Sequence, residues 1–241
     1  MADSLPPVRL YPLGDAAVVL EFGQAIAPAT HQLIQAFARV LGQHPLPGLR
    51  EYVPAFTTLT VYYDPWVLSQ ASEVLPYEQA ASYLQSLLPA AQAAVADYAP
   101  GPLVEIPVCY GGDFGPDLGL VASHAQLSPA EVLARHAQPE YLVYMVGFAP
   151  GFPYLGGLDA RLATPRRAQP RALVPAGAVG IAGAQTGIYS LPTPGGWQLI
   201  GRTPLRLFDA GRARPSLLQA GDRLRFVPIS AAEFQRLAHV H

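Results

Sequence analysis

The sequence VPAGAVGIAGAQTGIYSLPTPGGWQLIGRTP (Val174–Pro204) consists of short strand-like runs separated by glycine and proline. Three of these runs are Val179–Ile181, Gln185–Tyr189 and Trp197–Ile200. Each has the length and the β-branched or aromatic content of a strand, and each interruption has the residues of a tight turn. Many short strands joined in this way predict a closed or nearly closed β-barrel.

The same pattern extends through the C-terminal part of the chain. A helix is expected to interrupt it at Ser128–Glu131, where serine fits the N-cap, proline the first turn and glutamate the third position. The further predicted elements are strands at Val104–Cys109, Tyr141–Val146, Leu205–Phe208 and Arg223–Val227, and a short last helix around Ala231–Leu237.

The N-terminal part alternates between strand and helix signals in the order ββαββα. The predicted strands are Val8–Tyr11, Ala16–Phe22, Leu49–Pro54 and Thr57–Tyr63, and the predicted helices are Pro28–Leu41 and Pro76–Leu88. A Pro/Gly-rich break at Tyr98–Pro102 marks a domain boundary. The predicted fold class is therefore α+β, with an N-terminal two-layer α+β domain (residues 1–98) followed by a β-barrel domain (residues 99–241).

Composition excludes several classes of protein. The 241 residues are 51% hydrophobic and 13% charged with a net charge of −2, which argues against disorder and against binding to nucleic acid or an anionic membrane. The N-terminus lacks a secretory signal and no apolar run reaches roughly 18 residues, so a cytoplasmic protein is expected. The single cysteine, Cys109, lies in a predicted strand and is expected to be buried rather than nucleophilic.

The chain contains no lysine, and all fifteen basic side chains are arginines. A Schiff-base lysine and a Walker A motif are therefore excluded. A bound carboxylate or phosphate must instead contact arginine, hydroxyl groups or backbone N–H groups.

The glycine- and proline-rich loops of Gly147–Thr203 have two interpretations. They can be the corners of a barrel, with their aromatic residues in the core and Arg166, Arg171 and Arg202 in solvent. They can also present backbone N–H groups and guanidinium groups to a carboxylate or a developing oxyanion. The residues alone predict an anion-binding, glycine-rich site on a barrel and no particular reaction.

Other motifs are weaker. Asp113 and Asp117 could ligate magnesium, but both also fit turn and cap positions that need no ligand. The histidines have no zinc-binding spacing, and the chain lacks a GxSxG elbow and a GxGxxG loop. No metal site is predicted.

Three motifs together resemble a known family. They are GFAPGFPYL (Gly147–Leu155), AGAQTGIY (Ala182–Tyr189) and PGGWQLIGRTP (Pro194–Pro204). In this order they are similar to the family that contains the B subunit of 5-oxoprolinase, the first subunit of allophanate hydrolase-type carboxyltransferases, and the sporulation-kinase inhibitor KipI. The resemblance covers nearly the whole chain and implies that the barrel is cyclophilin-like.

The resemblance implies that this chain is the B subunit of an ATP-dependent 5-oxoprolinase, which opens 5-oxo-L-proline to L-glutamate. The A and C subunits of that enzyme are the implied partners, and the chain is expected to be inactive alone. ATP with Mg²⁺ would be used by the assembled complex, since the chain has no recognisable ATP motif. Two alternatives stay open: a subunit of a carboxyltransferase acting on urea derivatives, and a KipI-like inhibitor of a sensor histidine kinase.

The resemblance also implies site residues. The catalytic candidates are Arg202, Tyr189 and Thr186. The substrate-binding candidates are Gly147, Phe148, Pro150, Gly151, Tyr154, Gln185, Gly195, Gly196, Trp197 and Thr203. Ala178 and Ser190 depart from the residues usual in relatives, serine and proline, so Ala178 is given no catalytic role.

Overall fold

The computed structural model describes residues 8–70 and 73–239. They form two compact units, divided between Ala99 and Pro100. This division lies one residue after the predicted boundary. The fold class is α+β with a closed β-barrel, as predicted.

The first unit is a four-stranded antiparallel sheet with helices. Its elements are β1 (Arg9–Pro12), β2 (Ala17–Glu21), α1 (Pro28–Gln43), β3 (Leu49–Pro54), β4 (Thr58–Tyr63), α2 (Pro65–Ser69), α3 (Pro76–Ser86), α4 (Leu88–Ala94) and a 3₁₀ turn (Val95–Asp97). The strand order is β1-β2-β4-β3, so β2 and β4 are central. Alternate residues of β4, Leu59 and Val61 among them, are buried beside Phe37 of α1, which gives this unit its core.

Two helices differ from the prediction in this unit. The predicted helix Pro76–Leu88 ends at Ser86, and a separate helix starts at Leu88, because Pro89 has no N–H to continue the hydrogen-bond ladder. Helix α2 was not predicted. It begins where the carboxylate of Asp64 accepts a hydrogen bond from the Trp66 N–H at 3.0 Å, an N-cap followed by proline.

The second unit contains the barrel. Its elements are β5 (Leu103–Tyr110), α5 (Leu118–Ala125), α6 (Pro129–Ala137), β6 (Tyr141–Val146), β7 (Pro153–Gly156), a 3₁₀ turn (Ala160–Leu162), β8 (Arg171–Val174), β9 (Ala178–Ala182), β10 (Gln185–Ile188), β11 (Thr193–Gly195), β12 (Gln198–Arg202), β13 (Arg223–Pro228) and α7 (Ala231–Ala238). The closed barrel has the order β10-β7-β6-β13-β5-β12-β9, and β8 pairs with β11 outside it. Strands β5 and β13 are parallel, whereas the other barrel pairs are antiparallel.

The barrel interior is apolar. Ile106 and Val108 of β5, Val143 of β6, Ile181 of β9 and Phe226 of β13 are almost fully buried in one cluster. Cys109 is buried, as predicted, and burial raises the pKa of its thiol, which therefore stays protonated near neutral pH. The interior is thus a packed core, and ligand sites must lie around it.

Several helices and strands of this unit differ from the prediction. The predicted capping box is confirmed, since the Ser128 hydroxyl accepts from the Glu131 N–H at 3.2 Å, but α5 adds a second helix before it. The predicted strand Leu205–Phe208 was wrong. This segment instead forms a backbone hydrogen bond with a nearby loop, in which the Leu217 N–H donates to the Leu207 carbonyl at 2.8 Å. Strands β7 and β11 were not predicted because they contain glycine and proline, which obscure a strand pattern. Strand β8, a short run of four residues between Pro170 and Pro175, was not predicted either.

None of the helices within residues 8–70 and 73–239 has the length and apolar character needed to cross a membrane.

Candidate functional site

An aromatic cleft of about 320 Å³ lies on the barrel unit. This volume is at the lower end of the range for sites that hold small molecules. Its lining residues come from the three motifs and the segment between them: Phe148, Phe152, Tyr154, Arg166, Pro170, Tyr189, Pro194, Gly195, Gly196 and Trp197.

Phe152 organises the aromatic rings of this cleft. Its ring centroid lies 5.4 Å from that of Tyr189 and 5.5 Å from that of Trp197, with interplanar angles of 87° and 89°. Edge-to-face contacts of this kind are favourable because the positive ring edge meets the negative ring face. Phe152 is almost fully buried, so it supports the cleft from below.

Two glycines make room for these rings. A Cβ atom at Gly195 would collide with the Tyr189 hydroxyl. A Cβ atom at Gly187 would lie 2.9 Å from the Pro153 carbonyl oxygen and 3.1 Å from ring atoms of Phe152 and Trp197. Neither glycine has a positive φ, so their role here is close approach rather than backbone freedom.

Phe148 forms the exposed rim of the cleft. Its side chain is 64% exposed, and its backbone has a φ of +67°, which non-glycine residues rarely adopt. Its ring still makes an edge contact with Phe152, at 5.4 Å between centroids. An exposed aromatic ring held by a strained backbone is typical of ligand-contacting positions.

The cleft is cationic on one side. Burial raises the pKa of Tyr189, while a hydrogen bond with the Trp197 backbone and the charges of Arg166 and Arg171 act in the opposite direction. Burial also raises the pKa of Tyr154. Both phenols therefore stay protonated near neutral pH and can donate hydrogen bonds to a ligand oxygen.

The arginines near the cleft have different partners. Asp117 is buried, and its Oδ1 accepts from Arg171 at 2.8 Å and from Arg167 at 3.3 Å. Its Oδ2 accepts from the Leu199 N–H at 2.7 Å. Arg166, by contrast, forms no ion pair with any carboxylate of the described residues. Its charge is therefore available to an anionic ligand in the cleft.

Asp117 is poorly suited to bind magnesium. A carboxylate engaged by two guanidinium groups and a backbone N–H has little capacity left for a metal ion. Among the residues that the structure describes, no three His, Cys, Asp or Glu side chains are grouped so that they could hold a metal ion.

Comparison with known proteins identifies the family. The model of the carboxyltransferase domain, subdomain C and D, matches residues 8–218, most of the chain. This chain belongs to that carboxyltransferase-domain family.

Relatives within the carboxyltransferase-domain family are closely similar. The chain is 48% identical to the 5-oxoprolinase B subunit of Bacillus subtilis (strain 168), with 92% of this chain and 93% of that protein aligned. It is 46% identical to the 5-oxoprolinase B subunit of Escherichia coli O157:H7, with 91% and 95% aligned. A crystal structure of TTHA0988 superposes with a TM-score of 0.74 at 39% identity, covering 89% of this chain but only 40% of that longer chain.

The structure brings together about half of the residues predicted from the family resemblance. Six of them line the aromatic cleft: Phe148, Tyr154, Tyr189, Gly195, Gly196 and Trp197. Gly147, Pro150 and Gly151 instead line a shallow hollow on the other side of Phe148. Gln185 begins β10, where it pairs with Ala182 of β9.

Two of the three catalytic candidates lie outside the cleft. Thr186 is fully buried inside the barrel, and its hydroxyl lies 2.9 Å from Nε2 of His136. Arg202 and Thr203 line a different pocket, which Tyr189 does not border. Within the described residues, Arg202, Tyr189 and Thr186 therefore do not line one pocket, and the catalytic role of each stays a prediction.

Four lining residues of the cleft were not among the predicted site residues: Phe152, Arg166, Pro170 and Pro194. From the sequence alone, Arg166 was one of several arginines that could be solvated. The sequence indicated an arginine cluster of Arg166, Arg167 and Arg171 but did not distinguish its members. In the structure Arg167 and Arg171 pair with Asp117, which leaves Arg166 as the unpaired charge.

Proposed function

We propose that this chain is the B subunit of an ATP-dependent 5-oxoprolinase, which opens 5-oxo-L-proline to L-glutamate. The observation that carries the proposal is the aromatic cleft, in which phenol groups surround a small apolar space and Arg166 supplies an unpaired positive charge. The end-to-end similarity to two proteins named as the B subunit of 5-oxoprolinase supports it.

The proposed substrate matches the chemistry of this cleft. 5-Oxoproline is a small, nearly flat ring with one carboxylate and one lactam group. The carboxylate would pair with the Arg166 guanidinium, and the ring would stack against Trp197 and Phe148. The Tyr189 and Tyr154 hydroxyls would donate to the lactam oxygen, which becomes more negative as the reaction proceeds.

ATP would overcome the low reactivity of the lactam. In the proposed reaction the lactam oxygen takes the γ-phosphoryl group of ATP, and ADP leaves. A water molecule then adds to the lactam carbon that carries this oxygen. The C–N bond then breaks, its nitrogen becomes the α-amino group, and the resulting acyl phosphate is hydrolysed by a second water molecule to glutamate and phosphate. The hydroxyls of the cleft would hold the substrate oriented for these steps.

We further propose that the chain works with the A and C subunits of 5-oxoprolinase and is inactive alone. The 40% coverage of TTHA0988 supports this, because the same fold occurs there within a longer chain that carries additional sequence. The exposed rim residue Phe148 is then suited to contact a partner or the substrate that a partner delivers.

The test is glutamate formation from 5-oxoproline and ATP with Mg²⁺, using this chain with its candidate A and C partners and omitting each component in turn. We expect glutamate formation to be lost when this chain is left out. Full activity without it would refute the proposal and direct attention to urea derivatives as substrates or to a sensor histidine kinase as partner.

A further inference from the structure

A second pocket of about 530 Å³ lies on the other side of the chain segment that follows β10. Tyr189 lines the aromatic cleft, whereas the next residue, Ser190, lines this pocket. Consecutive side chains of an extended segment point to opposite sides, so the same few residues separate the two spaces. We call the second pocket, which Ser190, Arg202, Thr203 and Phe234 line, the Arg202 pocket.

Arg202 enters this pocket in a held orientation. Its Nε donates to the Ala176 carbonyl at 2.9 Å, and its guanidinium carbon lies 5.9 Å from the ring centroid of Phe234 in α7. No carboxylate of the described residues forms an ion pair with Arg202. Its terminal N–H groups therefore present an uncompensated charge in a fixed direction.

The backbone around Arg202 is held by Gly177. The Gly177 N–H donates to the Tyr189 carbonyl at 2.7 Å, and its carbonyl accepts from the Thr203 N–H at 2.9 Å. Gly177 has a φ of +82°, and a Cβ atom there would collide with the Thr203 carbonyl oxygen. The wall that carries Ser190, Arg202 and Thr203 is therefore preorganised.

Two hydroxyls in this wall have unused hydrogen-bonding capacity. Ser190 is only 4% exposed, and its hydroxyl has no hydrogen-bond partner among the described residues. A buried hydroxyl without a partner is unfavourable, so such groups usually serve a ligand or a bound water. The Thr203 hydroxyl accepts from the Leu205 N–H at 3.3 Å, which leaves its own hydrogen available for donation.

The remaining charges leave the pocket positive. Arg206 pairs with Asp209 at 3.3 Å, and Asp209 also contacts Arg212 at 3.5 Å. One carboxylate is thus shared by two arginines, while Arg202 adds a further positive charge. The rest of the lining is largely apolar, with Phe208 and Phe234 as its aromatic members.

We propose that the Arg202 pocket is a second binding site, which takes a small organic oxyanion, a carboxylate or a phosphate ester. The oxyanion binds the Arg202 guanidinium and the Ser190 and Thr203 hydroxyls, and the apolar body of the ligand packs against Phe234. This site is separate from the aromatic cleft and does not depend on the 5-oxoprolinase function.

The test is calorimetric titration of the isolated full chain with four probes: acetate, benzoate, inorganic phosphate and phenyl phosphate. We expect saturable binding that is at least five-fold tighter for benzoate than for acetate, or for phenyl phosphate than for phosphate. Tighter binding of the two carboxylates would identify the ligand as a carboxylate, and tighter binding of the two phosphates would identify it as a phosphate ester. Because no ATP, substrate or partner is present, the outcome is independent of the omission assay above.

Matched variants locate the binding. Arg202→Gln should weaken it at least ten-fold, and Ser190→Ala several-fold, whereas Arg161→Gln, at an exposed position outside both the Arg202 pocket and the aromatic cleft, should leave it unchanged. Ser190→Ala removes no hydrogen bond and should not lower the unfolding temperature. If Arg202→Gln does not fold, the affinity of Ser190→Ala for the probes therefore tests whether they bind in the Arg202 pocket. Absence of saturable binding by all four probes, or equal affinity in Ser190→Ala and wild type, would overturn the proposal.

Discussion

The Thr186 hydroxyl and Nε2 of His136 lie 2.9 Å apart, and both side chains are fully buried. Thr186 also donates its hydroxyl hydrogen to the Gly180 carbonyl at 3.0 Å, so it can only accept from His136. His136 is therefore the neutral tautomer with hydrogen on Nε2, and its Nδ1 accepts from the Tyr110 hydroxyl at 2.8 Å. This chain of hydrogen bonds ties α6 to β5, β9 and β10.

Thr186→Val should destabilise the protein rather than alter catalysis alone. The substitution keeps the shape of the side chain but leaves the buried Nε2–H group of His136 without an acceptor, at a cost of about 1–3 kcal/mol. The matched control is Thr193→Val, because the Thr193 hydroxyl is buried with no partner among the described residues. Urea denaturation of both variants checks this. Unchanged stability of Thr186→Val together with lost turnover would instead support the catalytic role predicted from the family resemblance.

The stability of the protein should fall at acid pH because of His136. Burial lowers the pKa of His136 from 6.5 to about 3 in the folded chain. In the unfolded chain the pKa of His136 is 6.5, so between pH 6.5 and pH 3 the unfolded chain binds a proton at this residue and the folded chain does not. The contribution of neutral His136 to the free energy of unfolding is therefore complete above pH 6.5 and is lost as the pH falls toward 3. The loss is at most about 1.4 kcal/mol per pH unit. Denaturation of wild type and His136→Gln between pH 7 and pH 4 should show a shallower dependence for the variant; parallel curves would contradict the assignment.

Asp117→Asn should destabilise the barrel unit by about 2 kcal/mol or more. The amide cannot compensate the charges of Arg167 and Arg171, and a buried charge that loses its partner is costly, although both arginines are partly exposed to solvent. Asp113→Asn makes the same chemical change at an exposed position and should leave the stability nearly unchanged. Thermal unfolding of the two variants tests this, and equal unfolding temperatures would argue against the ion cluster.

Gly195→Ala should displace Tyr189, whereas Gly196→Ala should not. The new methyl group at position 195 would overlap the Tyr189 hydroxyl, while at position 196 the nearest atom, in Pro170, is 3.7 Å away. Overpacking of this kind costs about 1–3 kcal/mol. Unfolding temperatures and the near-ultraviolet spectrum of the aromatic cluster report the change, and indistinguishable spectra for the two variants would show that the cleft tolerates the methyl group.

Arg166→Gln should raise the KM for 5-oxoproline at least ten-fold in the assembled enzyme, with a smaller effect on kcat. In the proposed complex Arg166 pairs with the substrate carboxylate, which is present in both the ground state and the transition state. Arg161→Gln, at an exposed position outside the cleft, is the control for the loss of one positive charge. An unchanged KM in Arg166→Gln would exclude this role.

Much of the fold was predictable because it depends on neighbouring residues. Strand Tyr141–Val146 was predicted with its observed bounds, and the capping box at Ser128 and Glu131 forms as expected. Elements were missed where glycine and proline obscure the pattern, as in β7 (Pro153–Gly156), or predicted wrongly where apolar residues pack without forming a barrel strand, as in Leu205–Phe208.

The site was only partly predictable, because it depends on contacts between residues far apart in the chain. The sequence by itself determined that an anion must be held by arginine, hydroxyl groups or backbone N–H groups rather than by lysine, and that glycine-rich loops surround the aromatic residues. Only the tertiary structure decided which arginine is unpaired in the cleft. It pairs Arg167 and Arg171 with Asp117 and places Arg202 in another pocket. The physical reason is that a closed barrel joins distant strands, while one step along an extended segment, from Tyr189 to Ser190, moves a side chain to the opposite side.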